Sequence, residues 1–176
     1  MKKSFLISIV VCLSIILTSS MAMAQTSEDV VVINPIRWDS TQTVYSNQTI
    51  VFDFGWAACK RGFIKTFLNA NDLSFSMDGS PLFSSSAEAS QYWGPVQQTP
   101  APASAEACLG RTPETIWATY WMYTYGTLNA GDHMLHFTMS VDHPVLDGAD
   151  YDGNGAPDIF SGTLQDLDLT IHVENP

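Results

Sequence analysis

Positive charge is scarce in this sequence: seven lysines and arginines stand against eighteen aspartates and glutamates. A surface of that balance repels nucleic acid and anionic lipid, which excludes both as partners, and it favours cations. Apolar runs are equally scarce. The one present, Phe5 to Leu17, is too short to span a bilayer comfortably, and no second stretch follows it. Cysteine is limited to three residues, and Cys12 lies inside that run. A G-x-S-x-G elbow is missing, and so is any local Ser/His/Asp grouping. The chain is therefore read as something other than an enzyme.

The apolar run has a role of its own. Lys2 and Lys3 precede it, and Ala22-Met23-Ala24 supplies a small-x-small cleavage signal. Residues 1–24 read as a secretory leader, with a retained anchor as the alternative, and residues 25–176 as one soluble domain. The expected location is periplasmic or extracellular, with no membrane contact after cleavage. Without Lys2 and Lys3, five basic residues face the same eighteen acidic ones, a formal charge of −13. Cys59 and Cys108 remain, and neither has a histidine or a CxxC partner for metal, so an oxidising compartment predicts a disulfide between them.

Period-two alternation dominates the domain. Ile50, Phe52, Phe54 and Trp56 point one way, and so do Leu73, Phe75 and Met77. Leu135 to Val141 and Leu167 to Val173 repeat the pattern, and Val30 to Ile33 reads as a first strand. Asp78-Gly79 marks a hairpin turn. Lys60 to Asn71 has helix-like spacing but is short, and is read as a helical turn or irregular crossover. Residues 84–115, rich in Ser, Ala, Pro and Gln, read as a long connection. The strands bounding the Asp-rich segment after Val141 should be antiparallel neighbours.

Leu128-Asn-Ala-Gly131-Asp-His133-Met-Leu135 resembles the corner that leads into the penultimate strand of immunoglobulin-like and fibronectin-like sandwiches. His133 stands where that corner carries tyrosine, and Leu135 where antibody domains carry cysteine. The resemblance implies an all-β, immunoglobulin-like antiparallel β-sandwich of the generic bacterial kind.

Asp150-Tyr-Asp-Gly-Asn-Gly-Ala-Pro-Asp158 resembles an EF-hand-type calcium loop. Asp150, Asp152, Asn154 and Asp158 would supply side-chain oxygens and Ala156 its carbonyl, with Gly155 allowing the sharp turn between them. Ser161 stands where that motif places a bidentate glutamate, so Asp147 or Asp142 would complete the shell. Ca²⁺ is the expected ligand; a solvated Asp/Gly/Asn turn is the bland alternative.

Trp117, Thr119, Trp121, Tyr123 and Tyr125 share one strand face, which is core if buried and a platform for sugar rings or a partner if exposed. The opposite face of that strand is also largely apolar. Trp93, in the long connection, reads as a candidate exposed aromatic. His133 and His136 fall on opposite sides of a strand and cannot share a metal through that spacing. These signals describe a non-catalytic exported binding or surface-interaction domain, stabilised by Ca²⁺ and one disulfide, whose partner is a protein or a glycan. The alternative is a carbohydrate-binding module using Trp93, Trp117 or Trp121.

Overall fold

The computed structural model describes residues 29–36, 41–101, 108 and 114–176; the expected leader, residues 1–24, lies outside them. The described residues form an all-β domain of two sheets. Its strands are β1 (Val30–Ile33), β2 (Thr41–Tyr45), β3 (Thr49–Ala58), β4 (Asn71–Met77), β5 (Ser80–Pro81), β6 (Gln97–Pro100), β7 (Thr115–Gly126), β8 (Gly131–Leu146) and β9 (Ile159–Glu174). The first sheet has the order β1-β3-β7-β6, and the second β2-β9-β8-β4-β5.

Alternation places the core between the sheets. Ile50, Phe52 and Phe54 of β3 and Trp121 of β7 are fully buried on the first sheet; Phe75, Leu135, Phe137, Leu169 and Ile171 are buried on the second. Phe75 stacks on Trp121 at 4.6 Å between ring centroids, joining β4 to β7 across the sandwich. Phe54 lies beside the same pair, 5.1 Å from the Trp121 ring and 5.1 Å from Phe137. Side chains of this size bury about 150–250 Å² each, so this cluster dominates the stabilisation of the domain.

Local signals explain the turns. Asp78 and Gly79 both have positive φ, 52° and 76°, as a type I′ hairpin turn between β4 and β5 requires. β8 and β9 pair antiparallel from Gly131 opposite Val173 to Leu146 opposite Ile159, so the acidic segment is a hairpin loop as expected.

Three expectations need correction. The sheets are mixed, because β1 pairs with β3 and β2 with β9 in parallel. The reason is connectivity: β2 leaves for the other sheet, so β1 and β3 run the same way. The segment read as a helical turn is a full helix, α1 (Arg61–Ala70), burying Ile64, Phe67 and Ala70. Stacking of Phe67 on Trp56 at 4.2 Å supplies packing that ten residues of helix could not supply alone. Asn71 closes it, its side-chain amide donating to the Leu68 carbonyl at 2.8 Å. The long connection is also structured. It holds α2 (Ser86–Ala89), a 3₁₀ turn over Ser90–Tyr92, and β6.

Candidate binding sites: an acidic loop and a tyrosine seam

The β8–β9 hairpin loop lies at the end of the sandwich where β3 gives way to α1. Cys59, just past β3, donates its backbone N–H to the Asp147 carbonyl at 2.7 Å. Its side chain is disulfide-bonded to Cys108, with Cα atoms 5.8 Å apart, and Cys108 forms an isolated bridge to Ala149. Gly148 fits beneath this crosslink with φ +89°; a Cβ there would lie 2.9 Å from both Cys59 Cβ and Phe63 Cε2. The base of the loop is therefore held on three sides.

Beyond that base, Asp150, Asp152 and Asp158 converge, with one oxygen from each lying within 4.8 Å of the others. Gly153 and Gly155 have φ +73° and +85°, supplying the left-handed backbone the turn needs. Asp150 accepts from the Asn154 and Gly155 N–H groups at 3.0 and 2.8 Å. The cluster has the donor chemistry to chelate a hard cation.

Three expected ligands, Asn154, Asp147 and Asp142, have hydrogen-bond partners within the chain. The Asn154 oxygen accepts from the Ala156 N–H at 2.8 Å and its amide donates to Asp152 at 2.8 Å, so its side chain is tied into the loop. Asp147 does not complete the shell. Its side chain is buried, accepts from the Ala149 N–H at 2.8 Å and from the Tyr151 hydroxyl at 2.7 Å, and has its carboxyl pushed above the usual carboxylate range by that burial. Asp142 accepts from His143 instead.

The tryptophans are placed differently from their expectation as ligand platforms. Trp121 is fully buried and donates its indole N–H to the Ala89 carbonyl at 2.6 Å. Trp93 is not an exposed aromatic: it packs edge-on against Phe54 and Phe67 and donates to Asn71 at 3.0 Å. Both rings are held by the core because their N–H groups find partners there. Trp117 is half-buried, with the Arg61 guanidinium 5.6 Å from its ring.

A different aromatic group reaches the surface. Phe83, Tyr92 and Tyr123 meet along the side seam of the sandwich, between the β4–β5 edge and β7. The ring centroids are 5.5 Å apart for Phe83 and Tyr92, 4.8 Å for Phe83 and Tyr123, and 4.9 Å for Tyr92 and Tyr123. Tyr92 is 38% exposed, and Phe83, Tyr123 and Tyr125 are half-buried. Burial, followed by the nearby Tyr92, Tyr125 and Glu88, raises the Tyr123 phenol above its ordinary value. Glu88 marks the polar rim; its carboxylate accepts from the Ser84 N–H and hydroxyl, both at 2.7 Å, which holds it below the usual range. Tyr123 and Tyr125 belong to the aromatic row read from sequence. Phe83 and Tyr92 carry no periodic signal, since Phe83 lies just past the short β5 and Tyr92 ends a 3₁₀ turn, and only the fold brings them to β7.

No family model and no curated protein matches the chain. A solved structure of a cysteine protease inhibitor from Entamoeba histolytica is similar to it over 85% of this chain and 100% of the other, at 6% identity and a TM-score of 0.34. A likeness of that strength carries no inference about function.

Proposed function

We propose that this chain is an exported, non-catalytic carbohydrate-binding domain that takes sugar along the tyrosine seam. The observation that carries the reading is the cluster of Phe83, Tyr92 and Tyr123 at the surface, with Ser84 and Glu88 at its rim. Sugar rings present apolar C–H faces and a hydroxyl perimeter. Such ligands are held by half-exposed aromatic rings bordered by fixed hydrogen-bonding groups. Glu88, already oriented by Ser84, offers an acceptor to a sugar hydroxyl, and the phenols offer both donor and acceptor. The acidic loop serves stability: Asp150, Asp152 and Asp158 hold Ca²⁺ and fix the far end of the sandwich together with the disulfide.

Affinity electrophoresis through gels containing soluble polysaccharides tests this reading. The wild-type protein should be retarded by at least one neutral polysaccharide, and a Tyr92→Ala/Tyr123→Ala variant should migrate as in a blank gel. Retardation that survives the double substitution would place the site elsewhere.

A further inference from the structure

The sequence of β7 is apolar on both faces, the pattern of a strand covered on each side. One face, with Trp121 and Tyr123, meets the core. The other belongs to the outer surface of the first sheet, where Val30, Val32 and Met122 are 51%, 58% and 55% exposed. The register sets Val32 opposite Val51, and Met122 opposite Asp53. The Tyr120 ring lies across Gly55, where a Cβ would come within 2.9 Å of its Cδ1, flattening the surface beside them.

Asp53 sits among these apolar groups, and no cation pairs with it among the described residues. Its Oδ1 is buried and has no hydrogen-bond partner among the described residues. Desolvation raises its carboxyl above the usual range. An orphaned carboxylate oxygen in an apolar surface is costly unless something else completes it. On the outer face of the second sheet, by contrast, Asp168 pairs with His136 and Asp132 with His172.

We propose that the outer face of the first sheet docks a protein segment that sets a lysine or arginine against Asp53 between aliphatic side chains. Charge complementarity selects that occupant. A neutral apolar partner would bury Asp53 unpaired and an acidic one would repel it, whereas a cation flanked by methyl groups answers the charge of the half-buried carboxylate and covers Val32 and Met122 together. This surface is separate from the tyrosine seam, and the proposal does not depend on sugar binding.

The test is a titration of the isotope-labelled exported protein with amidated Val-Lys-Val-Lys-Val, followed by backbone NMR. Shifts should centre on Val32, Val51, Asp53 and Met122, and Asp53→Asn should weaken binding by about tenfold or more while leaving the fold's spectrum intact. Asp168→Asn, on the opposite sheet, should leave the affinity unchanged, and the glutamate counterpart Val-Glu-Val-Glu-Val should not bind. No binding, shifts confined to the second sheet, or an affinity indifferent to Asp53→Asn would overturn the proposal. Self-association of the protein alone that is lost in Asp53→Asn would also overturn it, by assigning the face to a second copy.

Discussion

His133 and Asp78 lock the corner between β7 and β8 to the β4–β5 turn. The His133 Nδ1 lies 2.7 Å from an Asp78 oxygen, and its Nε2 lies 3.0 Å from the Asn129 carbonyl. A carbonyl only accepts, and so does an ionised carboxylate, so both bonds form together only with the charged imidazole, whose two ring nitrogens donate. The contact with Asn129, four residues upstream, ties the corner back onto its own backbone. A corner held through an imidazole carries a pH dependence.

The first prediction follows from that dependence. The hydrogen bond that His133 donates to Asp78 is the chief cause that raises His133 above its ordinary value and lowers Asp78 below its own. The histidine's contribution is complete below about pH 6.5 and is lost as pH rises through its raised value. The aspartate's contribution is complete above about pH 4 and is lost as pH falls through its lowered value. The pair should therefore stabilise most between about pH 4 and 6.5. His133→Ala should cost about 1 kcal/mol at pH 5.5 and less at pH 8.5, measured by urea unfolding; Asp78 is half-exposed, which limits the ion pair itself.

A second prediction concerns the crosslink. Thiol titration of the denatured, unreduced protein should find no free sulfhydryl from Cys59 or Cys108. The bond closes a segment with a sequence separation of 49. Replacing both cysteines with alanine should lower stability by about 4 kcal/mol in the chain-entropy account. Two reactive thiols would contradict the assignment.

The third prediction is that Gly148→Ala is severely destabilising, by about 2–4 kcal/mol, from left-handed backbone strain plus overpacking. A Cβ at that position meets Cys59 and Phe63. Gly153→Ala, whose Cβ would meet nothing within 4 Å, should cost only the backbone strain of about 1 kcal/mol. Thermal unfolding of the two variants separates the two terms.

Alternation made much of the fold legible in the sequence. The faces of β3, β4, β8 and β9 and the Asp78-Gly79 turn follow from period two and turn chemistry, and these are local properties. The full extent of the helix at Arg61–Ala70 is not legible in the sequence because its stability comes from Phe67 stacking on Trp56, a tertiary contact. The parallel edge pairs were missed for a related reason: alternation fixes which face a residue takes but not which strand lies beside it. The site divides in the same way. The Asp150, Asp152 and Asp158 spacing is a local signal, whereas Tyr92 reaches Tyr123 only because the 3₁₀ turn packs against β7. Trp93 and Trp121 were plausible platforms by residue type, and their indole N–H partners, Asn71 and Ala89, explain why the core took them.

Calcium gives the fourth prediction. Ca²⁺ at 100 times its dissociation constant should add about 2.7 kcal/mol, raising the melting temperature by about 5–10 °C over that in chelator. Mg²⁺ should do less, because it keeps a small octahedral shell and gives up water reluctantly. Asp152→Ala should remove most of the effect. An unchanged melting temperature in millimolar Ca²⁺ would mean that the loop is only a turn.

The most direct measurement of the central claim is protein-detected NMR with a soluble oligosaccharide cut from whichever polysaccharide retards the protein. Saturable shifts should concentrate at Phe83, Ser84, Glu88, Tyr92 and Tyr123, where the rings and their polar rim meet. Shifts that instead gather at Trp117 and α1, or an absence of shifts across the seam at saturating ligand, would contradict the assignment of this domain as a carbohydrate binder at the tyrosine seam.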